Sequence, residues 1–245
     1  MPHRTGARLA GFEWQEASAT KDGDGGQVQT LLYHADPVDF DHLPPAVKQA
    51  LTVVWSDADA SSLGDMAVES TMVPLGISMP EFVLTDVNGH QVESTDLAGR
   101  PALVMFLCNH CPYVRHVETR LGEVLHEFAD LPAVGICSND AVAYRDDAPA
   151  RLAEQARRAD WRFPYLVDTT QDVGRSIGAA CTPEFFLYDA HCRLAYRGAF
   201  DASTPGNLVP VTGDLLTAAI RHVLAHEPVP EPHRPSMGCS IKWRA

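Results

Sequence analysis

A continuous apolar run, PALVMFLC at 101–108, leads directly into a segment with helical periodicity. A run of this kind is typical of a strand that is buried on both faces of a sheet. In the segment that follows, apolar residues recur mainly at spacings of three and four, which gives a helix one apolar face. The residues that share this face are Val114, Val117, Leu121, Val124, Leu125 and Phe128. A buried strand joined to an amphipathic helix predicts a layered α/β domain.

Strands and helices alternate on both sides of this junction. Strand-like segments lie at 81–87, 131–140, 163–168, 184–190 and 193–200. Helix-like segments lie at 146–160, 170–179 and 213–225, and the first of them has aspartates at its N-terminus and a proline in its first turn. This order predicts an α/β fold on a central mixed β-sheet. We assign the domain to residues 73–245, with a C-terminal tail at 226–245.

Residues 1–72 differ from the rest of the chain and are interpreted as an N-terminal extension of unassigned fold. Two turn-forming stretches, KDGDGGQ and SDADASSLGD, flank three short segments with strand or helix character. These segments are QTLLYHAD at 29–36, PPAVKQAL at 44–51 and TVVW at 52–55. The extension is a small added unit, a docking arm or a disordered tail.

The composition argues against several classes of function. A formal net charge of −13 disfavours binding to nucleic acid or to anionic lipid. The sequence has no apolar run of about eighteen residues or more and no apolar signal core at its N-terminus, so we predict a cytoplasmic protein. Thiols are kept reduced in that compartment, and a close pair of cysteines there is more often catalytic or metal-binding than structural.

Two cysteines, separated by two residues, lie where the buried strand ends. Cys108 closes the strand and Cys111 enters the helix, with Pro112 in the first helical turn. The unpaired N–H groups and the macrodipole at a helix N-terminus favour the thiolate and lower the pKa of a thiol. An imidazole at His110, between the cysteines, would stabilise the thiolate further and make the pair more oxidising. This placement predicts a redox-active dithiol.

Two other interpretations of the pair stay open at this point. The pair is half of a zinc site if further ligands converge on it through folding, although the sequence has no second C-x-x-C. That alternative corresponds to a non-catalytic metal- or partner-binding module built on Cys108, Cys111 and Cys181. The pair is structural if the two thiols are simply buried side by side. The position between a strand and a helix favours the redox interpretation, and no metal ligand is assigned.

A second candidate element is the Thr182–Pro183 dipeptide, directly before the apolar segment EFFLYDA. Proline cannot donate a hydrogen bond within a sheet, so it marks the start of the strand. Bonds that precede proline adopt the cis form at modest cost, and a cis bond places a backbone edge beside a neighbouring loop. The cis form of this bond does not follow from the sequence alone.

Three stretches of the sequence carry a resemblance to a known family. They are residues 74–116, from PLGISMPEF to CNHCPYVRH, then AACTPEFFLYD at 179–189, and GCSIKW at 238–243. With the order of elements, they resemble the thioredoxin-like superfamily, and within it the redoxin group related to alkyl hydroperoxide reductase and thiol-specific antioxidant (AhpC/TSA) proteins. The resemblance covers residues 72–243 and implies a thioredoxin-like three-layer fold.

The resemblance also implies roles for individual residues. Cys108 would attack a substrate disulfide and Cys111 would resolve the mixed disulfide, while Thr182 and a cis Pro183 would position the substrate. This reaction needs no dissociable cofactor. Its partners would be a protein or small-molecule disulfide, or a hydroperoxide, and a cellular dithiol reductant. The main prediction is a thiol–disulfide oxidoreductase in which His110 tunes the stability of the thiolate.

The sequence departs from the thioredoxin pattern in two places. Leu107 stands where thioredoxins carry tryptophan, and the strand that ends there lacks the buried acid that accepts a proton in thioredoxins. His110 or His116 is the candidate replacement for that acid. Typical peroxiredoxins have threonine at the position of Cys108 and attack peroxide with the cysteine at the position of Cys111. A peroxiredoxin-like thiol peroxidase with an antioxidant role is therefore the alternative prediction.

Four further cysteines lie outside the pair. Cys181, directly before Thr182, is a third redox thiol, a metal ligand or a packing residue. Cys239, after a proline-rich tail, is a resolving thiol on a mobile arm or a buried thiol in a docked tail. Cys137 and Cys192 receive no role.

The resemblance bears on the N-terminal extension as well. Members of the group commonly begin shortly before the segment that matches MVPLG, and Met66 lies at such a point. Residues 1–65 are therefore interpreted as an accessory extension or as the product of an upstream start assignment.

Overall fold

A computed structural model of the chain describes residues 67–244 and, before them, the backbone of two short strands. These strands, β1 (Thr20–Lys21) and β2 (Gln27–Val28), pair with each other in antiparallel orientation. The segments predicted at 29–36, 44–51 and 52–55 lie outside the described residues. The interpretation of residues 1–65 therefore stays a prediction, and so does the boundary after residue 72, although Ala67–Glu69 pairs with residues 237–239 of the domain.

A central mixed β-sheet organises the domain. In chain order, the strands of the domain are β3 (Ala67–Glu69), β4 (Val83–Asp86), β5 (Gln91–Glu93), β6 (Ala102–Phe106), β7 (Ala133–Cys137), β8 (Tyr165–Val167), β9 (Cys181–Thr182), β10 (Glu184–Tyr188), β11 (Leu194–Gly198) and β12 (Met237–Ser240). In the described part of the chain, seven of these form the sheet β11-β10-β6-β7-β8-β4-β5. β6, β7 and β8 run parallel, whereas the outer strands on both sides pair antiparallel. The predicted mixed sheet is confirmed.

Helices cover both faces of this sheet. They are α1 (Pro112–Glu127), α2 (Pro149–Arg158), α3 (Asp172–Ile177) and α4 (Asp214–Leu224), with short 3₁₀ turns at Ser94–Leu97 and Arg145–Asp147. Within residues 67–244, no helix is both long enough and apolar enough to span a bilayer.

The side chains of β6 divide the core into two layers. Every residue of β6 is fully buried, and alternate residues point to opposite faces of the sheet. Leu103 and Met105 pack in the cluster that holds the apolar faces of α1 and α4. Val104 and Phe106 pack in a second cluster with Val173 of α3. The domain is therefore the predicted three-layer α/β fold with helices on either side of the sheet.

A second, smaller sheet joins the two ends of the domain. It has the order β3-β12-β9, so the C-terminal strand β12 lies between the first strand of the domain and the strand that holds Thr182. Cys239 of β12 stands opposite Thr182, and Met237 stands opposite Glu69. The sequence did not reveal this sheet, because its strands have only two to four residues and pair with partners that lie far away along the chain.

The helix predicted at 146–160 begins later than its sequence pattern suggests. α2 starts at Pro149, with Ala148 as its N-cap residue, and Asp147 lies in the preceding 3₁₀ turn. Proline disfavours the helical conformation for the residue before it, so the helix cannot extend through Ala148. The interpretation of the aspartates as helix N-terminal residues was therefore wrong, and the Asp147 side chain is available for another contact.

Gly122 allows α1 to pack closely against the end of α2. A Cβ atom at this position would overlap the backbone carbonyl oxygen of Ala159. We expect Gly122→Ala to lower the free energy of unfolding by about 1–3 kcal/mol, because a backbone atom cannot move away as a side chain can. Gly206→Ala is the control, since nothing lies within 4 Å of the added atom. Urea unfolding measures the free energy of unfolding of both variants. Equal stability of the two would contradict the close packing of α1 at Gly122.

Candidate active site around a buried dithiol

The two cysteines of the C-x-x-C motif lie at the junction between β6 and α1. β6 ends at Phe106, Cys111 is the N-cap residue of α1, and Pro112 is the first residue of the helix. Proline suits this position because its fixed φ matches the helix and its missing N–H would have no partner there. Both cysteines are free thiols, and each has 0% exposed surface.

Thr182 contacts both thiols. The Cys108 sulfur lies 3.1 Å from the Thr182 hydroxyl oxygen, and the Cys111 thiol donates a hydrogen bond to the Thr182 carbonyl oxygen at 3.1 Å. The bond between Thr182 and Pro183 is cis. The cysteine pair and the Thr182–Pro183 dipeptide, which lie about seventy positions apart in the chain, are therefore next to each other in the structure.

A buried carboxylate, Asp147, holds the loop between the two cysteines. Its Oδ1 accepts the backbone N–H groups of Asn109 at 2.8 Å and His110 at 3.2 Å. Its Oδ2 lies 2.6 Å from Nδ1 of His110 and accepts a hydrogen bond from Asn139 at 2.8 Å. Burial disfavours the carboxylate, but the hydrogen bond with His110 and those with its other partners hold the pKa of Asp147 below its usual range.

The sequence did not mark Asp147 as a site residue. What could have indicated it is its position in the connection that follows β7, the strand that runs parallel to β6. Because the carboxyl ends of neighbouring parallel strands meet at the same edge of a sheet, this connection had to pass close to the C-x-x-C loop. A polar residue there is a natural partner for backbone N–H groups of that loop that have no partner within a strand or a helix.

His110 is held by Asp147 and by an aromatic ring. Its imidazole stacks on Tyr144 with the ring centres 5.1 Å apart. Nδ1 faces Asp147, while Nε2 is buried without a hydrogen-bond partner among the described residues. His110 therefore has a fixed orientation close to Cys108, and its role in tuning the dithiol stays a prediction.

Three potential metal-ligating groups come close together at this point. The Cys108 sulfur, an imidazole nitrogen of His110 and a carboxylate oxygen of Asp147 all lie within 4.8 Å of one another. Both Asp147 oxygens already accept hydrogen bonds from the loop and from Asn139. A metal ion would have to replace those bonds, so the geometry fits an orienting carboxylate better than a ligand. Cys181, the third cysteine of the metal alternative, is not a member of this group.

Electrostatic interactions distinguish the two thiols. Burial opposes ionisation of Cys111, but interactions with the thiols of Cys108 and Cys239 and with the backbone N–H of Val114 lower its pKa. Burial, followed by the interaction with Cys111, raises the pKa of Cys108 well above its usual value. The Cys111 side chain makes no full capping hydrogen bond, so the Val114 N–H and the rest of the helix N-terminus act on its sulfur electrostatically. These interactions lower the pKa of Cys111, and the form that donates to the Thr182 carbonyl oxygen is its protonated thiol.

Cys239 lies next to the dithiol. It belongs to β12, is 2% exposed, and packs in the same buried cluster as Cys108 and Cys111. Its thiol interacts with the Cys111 sulfur, and this interaction, followed by burial, raises the pKa of Cys239. The sequence left open whether Cys239 lies on a mobile arm or in a docked tail, and in the structure the tail is docked with Cys239 buried.

Cys181 lies on the far side of Thr182 from the pair. Its sulfur is 3.9 Å from the Ser236 carbonyl oxygen and 4.0 Å from the Glu184 carboxylate. Burial, and then the charge of Glu184, raise its pKa. These surroundings are those of a packed thiol, and a redox role for Cys181 stays a prediction.

The two cysteines without a predicted role are Cys137, in the buried cluster that also holds Cys108 and Cys111, and Cys192, in a turn. Cys137 ends β7, and burial raises its pKa to a value far from that of a reactive thiol. Cys192 lies in the turn between β10 and β11, where it adopts a positive φ of 55°. Neither position gives either cysteine a function.

A buried acid is present on a strand next to β6. Glu184 is the first residue of β10, stands opposite Phe106 in the sheet and is 1% exposed. Its carboxylate accepts the backbone N–H groups of Ala180 at 2.8 Å and Cys181 at 3.2 Å. Burial outweighs these bonds and raises the pKa of Glu184 to about 7. β6 itself contains no acid. The sequence pattern that could have indicated Glu184 is a glutamate at the start of an otherwise apolar strand.

His116, the other candidate replacement for the missing acid, faces a cleft instead of the dithiol. Its Nε2 lies 3.1 Å from the Ser203 hydroxyl, which donates to Asp201 at 2.6 Å. The cleft has a volume of about 230 Å³ and is also lined by Tyr113 and Pro183. It therefore adjoins the cis-proline loop from outside.

We expect Asp147→Asn to lower the pKa of Cys108, because the charge of Asp147 is one cause of its elevation. In a Cys111→Ser background, the pH profile of Cys108 alkylation by iodoacetamide should move to lower pH by roughly one unit. Asp146→Asn is the matched control, since this neighbouring side chain is exposed and only its backbone carbonyl binds Asn109. An unchanged pH profile in Asp147→Asn would show that the charge of Asp147 does not raise the pKa of Cys108.

Glu184 gives stability a dependence on pH with a defined sign. Its pKa is about 7 in the folded state against 4.5 for the free group, so the folded state binds the proton more tightly. The contribution is fully present below pH 4.5 and is lost as pH rises through 7. Between these values, the wild type should lose up to about 3 kcal/mol more unfolding free energy than Glu184→Gln.

Urea unfolding at several pH values measures this difference. Glu81→Gln, which removes an exposed carboxylate, should retain the wild-type slope. Parallel curves for the wild type and Glu184→Gln would contradict the raised pKa.

Comparisons with known proteins identify the family of the chain. Residues 75–197, half of the chain, match the AhpC/TSA family. Thiol-disulfide oxidoreductase ResA of Bacillus thuringiensis subsp. konkukian is 24% identical over 115 residues, which cover 47% of this chain and 64% of ResA. The chain thus matches less than two thirds of the length of this relative.

Two solved structures are similar over most of their length. A conserved protein of Geobacillus kaustophilus is 43% identical, with a TM-score of 0.71 over 73% of this chain and 96% of that one. A hypothetical protein of Sinorhizobium meliloti 1021 is 39% identical, with a TM-score of 0.71 over 72% of this chain and 98% of that one. The family match and these two structures lead to one conclusion: the chain belongs to the AhpC/TSA family, among the redoxins of thioredoxin-like fold.

Proposed function

We propose that the chain is a thiol–disulfide oxidoreductase whose reactive pair is Cys108 and Cys111. The observation that carries this proposal is the position of both free thiols, each 3.1 Å from an oxygen atom of Thr182 at a strand-to-helix junction. The similarity to ResA supports the same class of reaction. Nothing in the reaction calls for a dissociable cofactor.

Cys111 is the thiol that we assign to the first attack. The thiolate is the nucleophile in disulfide exchange, and the surroundings of Cys111 lower its pKa while those of Cys108 raise it. The resemblance to thioredoxins implied the reverse order, with Cys108 first. The order assigned here rests on the interactions of Cys111 with Cys108 and Cys239 and on its place as the N-cap residue of α1.

The reaction moves two electrons from the dithiol to a disulfide. The Cys111 thiolate attacks one substrate sulfur, the substrate disulfide breaks, and the departing thiolate takes up a proton. Cys108 then attacks the Cys111 sulfur of the mixed disulfide and releases the second substrate thiol. The products are a Cys108–Cys111 disulfide and a reduced substrate, and a cellular dithiol returns the pair to the reduced state.

Three groups around the pair serve this reaction. Asp147 holds the loop so that the two sulfurs stay on one side of Thr182, and His110 is fixed beside Cys108. Thr182 and Pro183 present the backbone edge on which we place the substrate. The cleft of about 230 Å³ beside Pro183 gives room for the groups that flank the substrate disulfide.

A thiol peroxidase is the second candidate function. The lowered pKa of Cys111 favours it, since peroxide is attacked by a thiolate and this position matches the peroxide-attacking cysteine of peroxiredoxins. Cys111 would then form a sulfenic acid, releasing water or alcohol, and Cys108 would condense with it to give the same disulfide and water. The two functions differ in the oxidant and share the product.

Thiol mapping of the reduced protein separates these functions. One equivalent of oxidised glutathione should yield a Cys108–Cys111 disulfide, and Cys108→Ser with Cys239→Ser, which lacks both neighbouring thiols, should trap glutathione on Cys111. Loss of the first-attacking thiol should reduce exchange with glutathione by about a hundredfold or more. Cys192→Ser is the control and should react like the wild type.

The outcomes of this experiment decide between the candidates. Fast reaction with hydrogen peroxide and slow reaction with glutathione would favour the peroxidase. Trapping of glutathione on Cys108 in Cys111→Ser, with none on Cys111 in Cys108→Ser with Cys239→Ser, would restore the thioredoxin order. A pair that neither oxidant touches would contradict both functions.

A further inference from the structure

We infer that Cys239 is a second resolving thiol, and that Cys111 forms a disulfide with Cys239 as well as with Cys108. The inference rests on the proposed chemistry of Cys111 and extends it to the C-terminal strand. It makes β12 a part of the active site and gives the protein two alternative oxidised states.

The register of the small sheet places Cys239 at the dithiol. Cys239 pairs directly with Thr182, the residue that contacts both thiols of the C-x-x-C motif. Paired residues of neighbouring strands have their Cβ atoms about 4.5–5.5 Å apart. Since the Cys111 thiol donates to the carbonyl oxygen of Thr182, Cys111 and Cys239 approach that residue together. They also pack in one buried cluster, in which α1 lies against β12.

Gly238 is what allows β12 to come this close. A Cβ atom at this position would overlap the carbonyl oxygen of Thr182 and lie 3.2 Å from the Pro183 nitrogen. Any other residue would push the strand away from the cis-proline loop. The glycine before Cys239 therefore brings the third sulfur within reach of Cys111.

Cys111 occupies the central position among the three sulfurs. Its thiol interacts both with Cys108 on its own loop and with Cys239 on β12. Cys181, although next to Thr182 in the chain, points instead toward Glu184 and Ser236. The arrangement therefore gives one attacking sulfur with a resolving thiol on either side.

The additional step needs no oxidant beyond the substrate. In the mixed disulfide of Cys111 with the substrate, the Cys239 sulfur attacks the Cys111 sulfur and the bond from Cys111 to the substrate breaks. The substrate leaves as a thiolate and takes up the proton that Cys239 releases. Two electrons have passed to the substrate, and the oxidised product is the Cys111–Cys239 disulfide. Attack by Cys108 on Cys111 converts this product to the Cys108–Cys111 disulfide, with Cys239 as the leaving thiolate.

Tryptic peptides distinguish the two disulfides. Trypsin does not cleave before proline, so Cys108 and Cys111 stay together in the peptide 49–115, while Cys239 lies in the peptide 222–242. A Cys108–Cys111 bond leaves these peptides separate and each at its own mass. A Cys111–Cys239 bond joins them, and the joined mass disappears on reduction.

The test oxidises the full-length Cys108→Ser variant with oxidised glutathione. We expect the joined peptides to be the main product, and the wild type to give both disulfides. In Cys108→Ser with Cys239→Ser, the expected product is glutathione bound to Cys111 with no joined peptides. Cys108→Ser with Cys181→Ser is the matched control and should still give the joined peptides.

Gly238→Ala provides a test that keeps all three sulfurs. In the Cys108→Ser background, it should reduce the yield of joined peptides about tenfold or more, because the two sulfurs no longer meet at disulfide distance. With Cys108 present, the share of the Cys111–Cys239 bond among the two disulfides should also fall.

These outcomes separate this inference from the proposed function. If the wild type forms the Cys108–Cys111 disulfide and Cys108→Ser gives only glutathione on Cys111, the inference is wrong and the proposed function stands. If no oxidant produces a bond at Cys108 or Cys111 in the wild type, the proposed function is wrong. Joined peptides that persist in Gly238→Ala at the wild-type yield would contradict the role given to the close approach of β12.

Discussion

The active-site geometry depends on one carboxylate, that of Asp147. The loop between the cysteines turns sharply from a buried strand into a helix, and two of its backbone N–H groups would otherwise be buried without acceptors. Asp147 accepts both and also holds the imidazole of His110. A charged acceptor is worth more than a neutral one in such a place. The positions of both sulfurs relative to Thr182 therefore follow from a residue that belongs to a different connection of the fold.

The parts of the fold that the sequence predicted share a physical character. β6, α1 and β10 have long apolar patterns whose period is set by local geometry, so burial alone identifies them. The C-x-x-C pair and the Thr182–Pro183 dipeptide were accessible for a similar reason, since each stands at the end of such an element. The strand start at Pro183 and the helix start at Pro112 agree with the structure.

The parts that the sequence did not reveal depend on contacts between distant segments. β3, β9 and β12 have two to four residues each, too few for any period, and they are stabilised by pairing across the domain. The role of Asp147 was hidden because the residue also fits the pattern of a helix N-terminus, and only Pro149 shows where that helix begins. Glu184 was hidden because a glutamate at the start of a strand is most often exposed. In each case the position of the residue or strand is determined by a contact between distant segments, which a local sequence pattern does not encode.

The complete burial of Cys108 and Cys111 has a consequence for how fast the protein can react. No reagent reaches either sulfur until the cis-proline loop or β12 moves, so every reaction of the dithiol follows a local opening of the structure. When opening is slower than the chemical step, the rate stops rising with the concentration of the reagent and becomes a property of the protein. Under those conditions oxidants of very different intrinsic reactivity are consumed at the same rate. The packing of a short C-terminal strand, not the chemistry of sulfur, then sets the speed of oxidation.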